Sequence, residues 1–339
     1  MRSSKPAQPP DSRSSLAARF FRVGRFRKQT ILWLLVPLAL FVAGCRILTN
    51  HFVAVEERTS PRDAKTGILV GAEDRWLGPA DSPGAVLMVH GFVGAGNNFN
   101  DLPERLAKRG WRVHVMRLPG HGTTPHDFEQ TSTEELIRAV RWELASLRSQ
   151  YQHVVVISHS MGGTLSVLAV SQVGADGLVL GAPFFGVTYR WFYILPPKLW
   201  LTVTGPAMRW LYKGKLFLQV NRKEAKSLIV NYRWVPVRGL RTLFEIGNMA
   251  SQPEVLRRVN CPVLLILPRW DTAASPKASM KAFEKIGSKN KRAVRITESD
   301  HQIYWDYDRQ QVCDEILRFV GAPGEGKVGL AAQPADTGD

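Results

Sequence analysis

Along the middle of the chain, short unbroken apolar runs alternate with segments whose apolar residues recur every three or four positions. The runs are AVLMVHGF (85–92), WRVHVMRLP (111–119), HVVVIS (153–158), GLVLGA (177–182), PVLLILP (262–268) and RAVRITES (292–299). Unbroken apolar runs of this length predict strands buried on both faces, as in parallel sheets. Between them, 97–110 predicts a helix with Phe99, Leu102 and Leu106 on one face, closed by Gly110. A Ser-x-x-Glu opening starts a second helix over 132–150. Further helices are predicted over 161–172, 276–287 and about 307–320. Strand–helix alternation of this kind specifies an α/β protein with a doubly wound, mostly parallel sheet.

The alternation places the core at 85–183 and 261–320. Residues 184–260 interrupt it, hold four of the ten Trp residues and show no convincing strand–helix–strand unit. They predict an inserted, mainly helical cap. Residues 46–84 are polar and irregular, a tether with a strand or two near GILVGA. Residues 321–339 are rich in Gly, Pro and Ala and predict a disordered tail.

The N-terminus has a different pattern. Residues 13–28 are basic, 31–43 are apolar, and Gly44-Cys45 follows. Spanning a bilayer takes about 20 helical residues, so this apolar run is short for a membrane span and reads as a secretory signal. Its end, VAGC at 42–45, resembles the lipobox of bacterial lipoproteins. That resemblance implies cleavage before Cys45, acylation of Cys45, and a lipoprotein anchored to a membrane and facing the periplasm or the cell exterior. The alternative is an uncleaved signal anchor. Of the two other cysteines, Cys261 opens an apolar strand and Cys313 lies on an apolar helical face. Both predict separately buried thiols.

Charge narrows the partners. The net charge is +16. Residues 1–45 contribute +7 from eight bases and one acid, and 184–260 contribute +10 from thirteen bases and three acids. The remainder sums to −1, from 24 bases and 25 acids. Bases interleaved with aromatics in the insertion, as in YRWFYILPPKLWL and MRWLYKGKLF, suit an anionic membrane surface. Lys213, Lys215, Arg222 and Lys223 are the candidate contacts. An export signal and the lack of a nucleic-acid-binding motif argue against nucleic acid.

The candidate chemistry lies at strand ends. Ser158-His159-Ser160-Met161-Gly162 follows an apolar run and opens a helix. It resembles the Gly-x-Ser-x-Gly nucleophile elbow of the α/β-hydrolase family, with Ser158 in place of the first Gly. His90-Gly91-Phe92, Asp271 in PRWDTAASP and His301 in ESDHQIYWD each follow a predicted strand. The resemblance covers about 85–320 and implies Ser160 as nucleophile, His301 as base and Asp271 as its orienting acid. It assigns the oxyanion-hole N–H groups to Phe92 and Met161, and His121 of RLPGHG to a structural role. Asp300 is a competing acid. The expected activity is hydrolysis of carboxylic, lipid-derived esters through an acyl-enzyme, as in the carboxylesterase and monoacylglycerol-lipase-like group, without metal or cofactor. The alternatives are a thioesterase or amidase on the same machinery, or a non-catalytic exported binding or scaffold protein.

Overall fold

The computed structural model describes residues 13–188, 207–214 and 218–324, with isolated positions at 199, 202, 205 and 328. The chain divides into two compact units, Met1–Asn50 and His51–Asp339. The first consists, where described, of the greater part of helix α1 (Arg13–Thr59). Residues Leu35–Thr59 of that helix are long and apolar enough to cross a membrane. The short apolar run at 31–43 therefore understates the apolar length, which continues past Cys45 through Ile47-Leu48 and Phe52-Val53.

The second unit is built on a sheet of β1 (Arg75–Leu77), β2 (Gly84–Val89), β3 (Arg112–Met116), β4 (His153–His159), β5 (Gly177–Gly181), β8 (Val263–Pro268) and β9 (Lys291–Ile296). Its order is β1-β3-β2-β4-β5-β8-β9, parallel except for β1 on β3. A sheet whose strands are all apolar must be covered on both faces. Along β4, Val154 and Val156 join one buried cluster while Val155 and Ile157 join the other. The first face carries α4 (Thr133–Gln150), α5 (Met161–Val173), α6 (Val237–Ala250), α7 (Pro253–Arg257) and α8 (Pro276–Glu284). The other carries α2 (Leu102–Lys108) and α9 (Arg309–Val320). Helix α4 opens with the capping box expected from its sequence: Ser132 Oγ accepts from the N–H of Glu135, whose carboxylate accepts from the N–H of Ser132. Both thiols are free and lie on opposite faces, Cys261 beside the first cluster and Cys313 within the second. Burial pushes them up to about 12 and about 11.

Three expectations need correction. Residues 46–59 are helical rather than an irregular tether. The last turns of α1 dock: Val53 is buried, Phe52 stacks on Trp234, and the Glu56 carboxylate accepts the N–H groups of Arg233 and Trp234. GILVGA makes only an isolated bridge, Arg62 with Leu69, and the short edge strand falls instead at β1. The insertion also ends earlier than the sequence pattern implied, since its last two helices belong to the core. Its described part is a two-stranded antiparallel ribbon, β6 (Trp210–Tyr212) and β7 (Trp234–Pro236), and a 3₁₀ turn at Lys223–Ser227. Helices α6 and α7 lie within 184–260, yet Leu243, Ile246, Ala250 and Leu256 are buried in the sheet's own core. Their amphipathic period does not reveal which surface their apolar side covers. Residues 189–206 apart from 199, 202 and 205, including most of the first aromatic–basic run, and most of the tail fall outside the described residues. The short helix α3 (Pro125–Gln130), capped by Thr124, completes the described helices.

Candidate active site

The site forms where β2, β4, β5, β8 and β9 end together, as expected for ligands of open α/β sheets. Ser160 stands between β4 and α5 with φ 53° and ψ −119°, a strained conformation for a residue with a side chain. The turn is tight because α5 backs directly onto β2. A Cβ on Gly162 would come within 2.1 Å of the Val89 carbonyl oxygen, and one on Gly163 within 2.8 Å of Pro183. Only glycine fits at both positions. Ser158 is a different kind of residue: fully buried, it donates to the Val179 carbonyl oxygen at 2.7 Å across β4 and β5. Its hydroxyl is committed to the sheet.

Two side chains distant in sequence converge on Ser160. His301 Nε2 lies 2.8 Å from Ser160 Oγ, and His301 Nδ1 lies 2.8 Å from Asp271 Oδ2. A carboxylate accepts, so the ring proton sits on Nδ1 and Nε2 is left to accept from the serine hydroxyl. The other Asp271 oxygen accepts the N–H groups of Ala273 and Ala274, both at 2.8 Å, which fixes the carboxylate plane. Asp300 does not compete. Its oxygens accept from Thr272 N, Thr272 Oγ1 and the His301 N–H, so it ties the Asp271 loop to the His301 loop.

Phe92 and Met161 follow Gly91 and Ser160, and these two turns touch: a Cβ on Gly91 would lie 3.0 Å from Ser160 Cβ. Within the described residues neither the Phe92 nor the Met161 N–H donates to a protein acceptor. His90 holds the first turn. Its Nδ1–H donates to the Gly91 carbonyl at 2.9 Å, and its Nε2 accepts from the Leu118 N–H at 3.1 Å. Burial is the main cause that lowers His90 to about 3, keeping it neutral and able to accept. His121 packs against it edge-on, donates to the Pro119 carbonyl, and is lowered by burial to about 4.

Three contributors, His159, Asp306 and Asn97, lay outside the sequence reading, and a fourth residue, Lys213, was read only for its charge. His159 donates from Nε2 to the His301 carbonyl at 2.9 Å, while its Nδ1 is closed off against Gly91. Burial, then the neighbouring His301, lowers it to about 3. Asp306 is fully buried and accepts four N–H groups, from Asn221, Arg222, Asp300 and Tyr307, at 2.7–3.0 Å. It pins the insertion to the His301 loop. Asn97 pins it again through the Leu228 carbonyl and the Val230 N–H. Lys213, named above as a candidate membrane contact, lines the cavity over Ser160. Among these only Asp306 left a sequence signal, an acid inside the strand-end loop that also holds the histidine.

That cavity measures about 320 Å³. Phe184, Val187, Leu240, Leu243 and Phe244 supply apolar wall, while Lys213, Gln219 and Gln302 supply polar wall.

The sheet topology, the strained serine turn and the Ser–His–Asp contacts together describe an α/β-hydrolase-type serine hydrolase. Residues 80–308 match the family described as serine aminopeptidase, S33 (Hydrolase_4), and the chain belongs to that family. It is a serine hydrolase of the lipase and esterase group. It is similar to the thermostable monoacylglycerol lipase of Bacillus sp. strain H-257, at 29% identity over 74% of this chain and 95% of that enzyme. A carboxylesterase of Bacillus subtilis is 21% identical over 70% of this chain and 92% of its own length. Among solved structures, one reported for the metagenome-derived lipolytic enzymes LipS and LipT has a TM-score of 0.66 and 26% identity. It covers 75% of this chain and 98% of its own.

Proposed function

We propose that the protein hydrolyses lipid-derived carboxylic esters through an acyl-enzyme on Ser160. The observation that carries this reading is the unbroken relay from Ser160 Oγ through His301 to Asp271, with both contacts at 2.8 Å. His301 Nε2 takes the hydroxyl proton as Ser160 Oγ bonds to the ester carbonyl carbon. Asp271 stabilises the resulting imidazolium and holds its orientation. The Phe92 and Met161 N–H groups receive the oxyanion, and one such donor contributes about 3 kcal/mol. Collapse breaks the carbon–oxygen bond to the alcohol, which leaves with the proton from His301. Water, deprotonated by the same histidine, then releases the acid and regenerates Ser160.

The apolar cavity wall supports a fatty acyl chain as the acid portion, and the likeness to a monoacylglycerol lipase supports a small polar alcohol. The family description keeps amide substrates in view. Hydrolysis of a chain-length series of glycerol monoesters, alongside fluorophosphonate labelling, tests the reading. Labelling lost in Ser160→Ala and a preference for long chains are expected. Labelling retained in that variant would overturn it.

The location reading is that the N-terminal segment exports the chain and holds it at a membrane through acylated Cys45. The VAGC sequence behind a basic and an apolar segment supports it. The apolar length of α1 equally suits an uncleaved anchor. Metabolic labelling with a fatty-acid analogue separates the two: label lost in Cys45→Ala supports lipidation, and equal label overturns it.

A further inference from the structure

We infer that a second cavity, between the end of α1 and the β6–β7 ribbon, receives the far end of a long acyl chain, and that Tyr212 is the gate to it. This rests on the ester-hydrolase reading and extends its acyl side.

The cavity over Ser160 measures about 320 Å³, near the lower end of the roughly 300–1,000 Å³ usual for small-molecule sites. Asn98, Lys213, Gln219 and Gln302 make part of its wall polar, which leaves less of it for an acyl chain. A long chain therefore needs room beyond it. The roof is thin where that room lies. It is a two-stranded ribbon in which Leu211 pairs with Val235 and Tyr212 with Trp234. Side chains alternate along a strand, so a single layer of backbone presents two lined faces. Leu211 and Val235 line the Ser160 cavity, while Trp234 lines a second cavity of about 440 Å³. Tyr212 lines both.

The wall opposite Trp234 comes from Phe52, Val55 and Thr59 of α1. The helix end is fixed there. Val53 is buried, Phe52 stacks on Trp234 with ring centroids 6.0 Å apart, and Glu56 accepts the N–H groups of Arg233 and Trp234 at 2.7 and 3.0 Å. These α1 residues precede the 80–308 that match the family, so the family's fold does not supply this wall. The two charged residues of the lining, Glu56 and Arg233, face each other at 3.9 Å and offset one another. The site therefore suits an apolar occupant rather than an ion. Phe52, Val55 and Tyr212 remain 46%, 37% and 53% exposed, apolar surface in a concave site that a hydrocarbon chain would take from water. Tyr212 can open the way. Its ring leans on Trp234 with centroids 5.1 Å apart, and a Cβ on Gly214 would come within 2.6 Å of it, so glycine there leaves the ring its place. Exposed side chains change rotamer within nanoseconds, and a swing of this ring joins the two cavities.

The test compares 1-palmitoylglycerol with 1-octanoylglycerol as substrates of the detergent-solubilised full chain, in the same detergent throughout. Val55→Trp or Thr59→Trp fills the second cavity from its far wall. Either should lower the ratio of the two kcat/KM values, palmitoyl over octanoyl, by about tenfold or more, since each methylene kept in water forfeits about fourfold. Tyr212→Ala removes the gate and should raise the ratio. Opposite changes from the two sides separate filling of the cavity from a general loss of fold. A direct reading uses Ser160→Ala and 1-palmitoylglycerol brominated at its terminal carbon. Bromine quenches tryptophan on contact, and part of the quenching should vanish when Trp234→Phe is added. A ratio that stays fixed in Val55→Trp and Thr59→Trp, or falls in Tyr212→Ala as well, overturns the inference and leaves the ester-hydrolase reading standing. Quenching that is unchanged by Trp234→Phe also overturns it. Hydrolysis of neither ester by the parent overturns the ester-hydrolase reading instead.

Discussion

Strand β4 and the return of the insertion, residues 218–236, both bear on the same cavity, but different forces hold them. Val154, Val155, Val156 and Ile157 are wholly buried and meet apolar side chains on both faces of the sheet. The return segment has little such cover. Leu218, Val220, Ala225 and Ile229 form a small separate cluster, and Tyr232 and Val235 join a second small one with Val93 and Phe128. Its backbone is held instead by core side chains. Asp306 takes the N–H groups of Asn221 and Arg222, Asn97 binds Leu228 and Val230, and Glu56 takes those of Arg233 and Trp234. Tyr232, from the segment itself, reaches back to the Gly120 carbonyl and the Thr123 N–H. Apolar burial at many positions makes a region cooperative with global unfolding. A few hydrogen bonds make one that opens locally at lower cost. Ser160, the proposed nucleophile, is thus set on the rigid part and the cavity roof on the adjustable part.

The largest effect that sharpens this contrast is on the rigid side. Ser160→Ala should lower kcat about 10⁴-fold or more while the melting temperature stays near that of the parent. Ester hydrolysis and a thermal melt on the same preparation check both. Next, the two regions should fail differently. Leu265→Ala, a wholly buried β8 position, should cost about 2–5 kcal/mol, with kcat/KM on the surviving folded fraction little changed. Asp306→Ala leaves four N–H groups without their acceptor, and its loss should appear in kcat/KM, about 10²-fold, as the roof and the His301 loop loosen. Similar losses of activity in both variants would break the distinction.

A smaller, pH-dependent effect concerns a clamp at the sheet edge. His114 on β3 meets Glu143 of α4 at 2.7 Å through Nδ1 and Asp74 at 2.9 Å through Nε2. Two carboxylate acceptors require both ring nitrogens to donate, so the ring is an imidazolium. Burial opposes that charge, and the two carboxylates outweigh it, raising His114 from 6.5 to about 8. A raised folded value means stability fully present below about pH 6.5 and lost as pH rises through about 8, on the order of 2 kcal/mol. Urea unfolding at pH 6 and pH 9 should show that difference in the parent, and His114→Gln should remove it. An unchanged slope in the variant would refute the clamp. The smallest effect is at Ser158. Ser158→Ala loses one hydrogen bond to Val179, costing about 1 kcal/mol, and should leave turnover within a few-fold. If Ser158→Ala abolished turnover while Ser160→Ala did not, the nucleophile would have been misassigned.

Much of the fold was legible because its signals are local and repeated. The apolar runs mark the buried strands, with ends moved by a residue or a few, and the Ser132–Glu135 box marks the start of α4. Helices α6 and α7 were misplaced because an amphipathic stripe records that a face is buried but not which surface covers it. The three-residue strand β1 carries too few positions to show a period.

By itself the sequence determined the sheet's apolar strands, the strand-end positions of Ser160, Asp271 and His301, and the absence of acids from 177 to 223. Each is a property of residue type and neighbouring order along the chain. Only the tertiary structure decided that His301 meets Ser160 and Asp271 rather than Asp300, that Asp306 anchors the roof, and that Lys213 lines the cavity over Ser160. Those outcomes depend on distances between residues far apart in sequence, which the crossing of strands and the closure of loops set, and no local pattern of side chains encodes them.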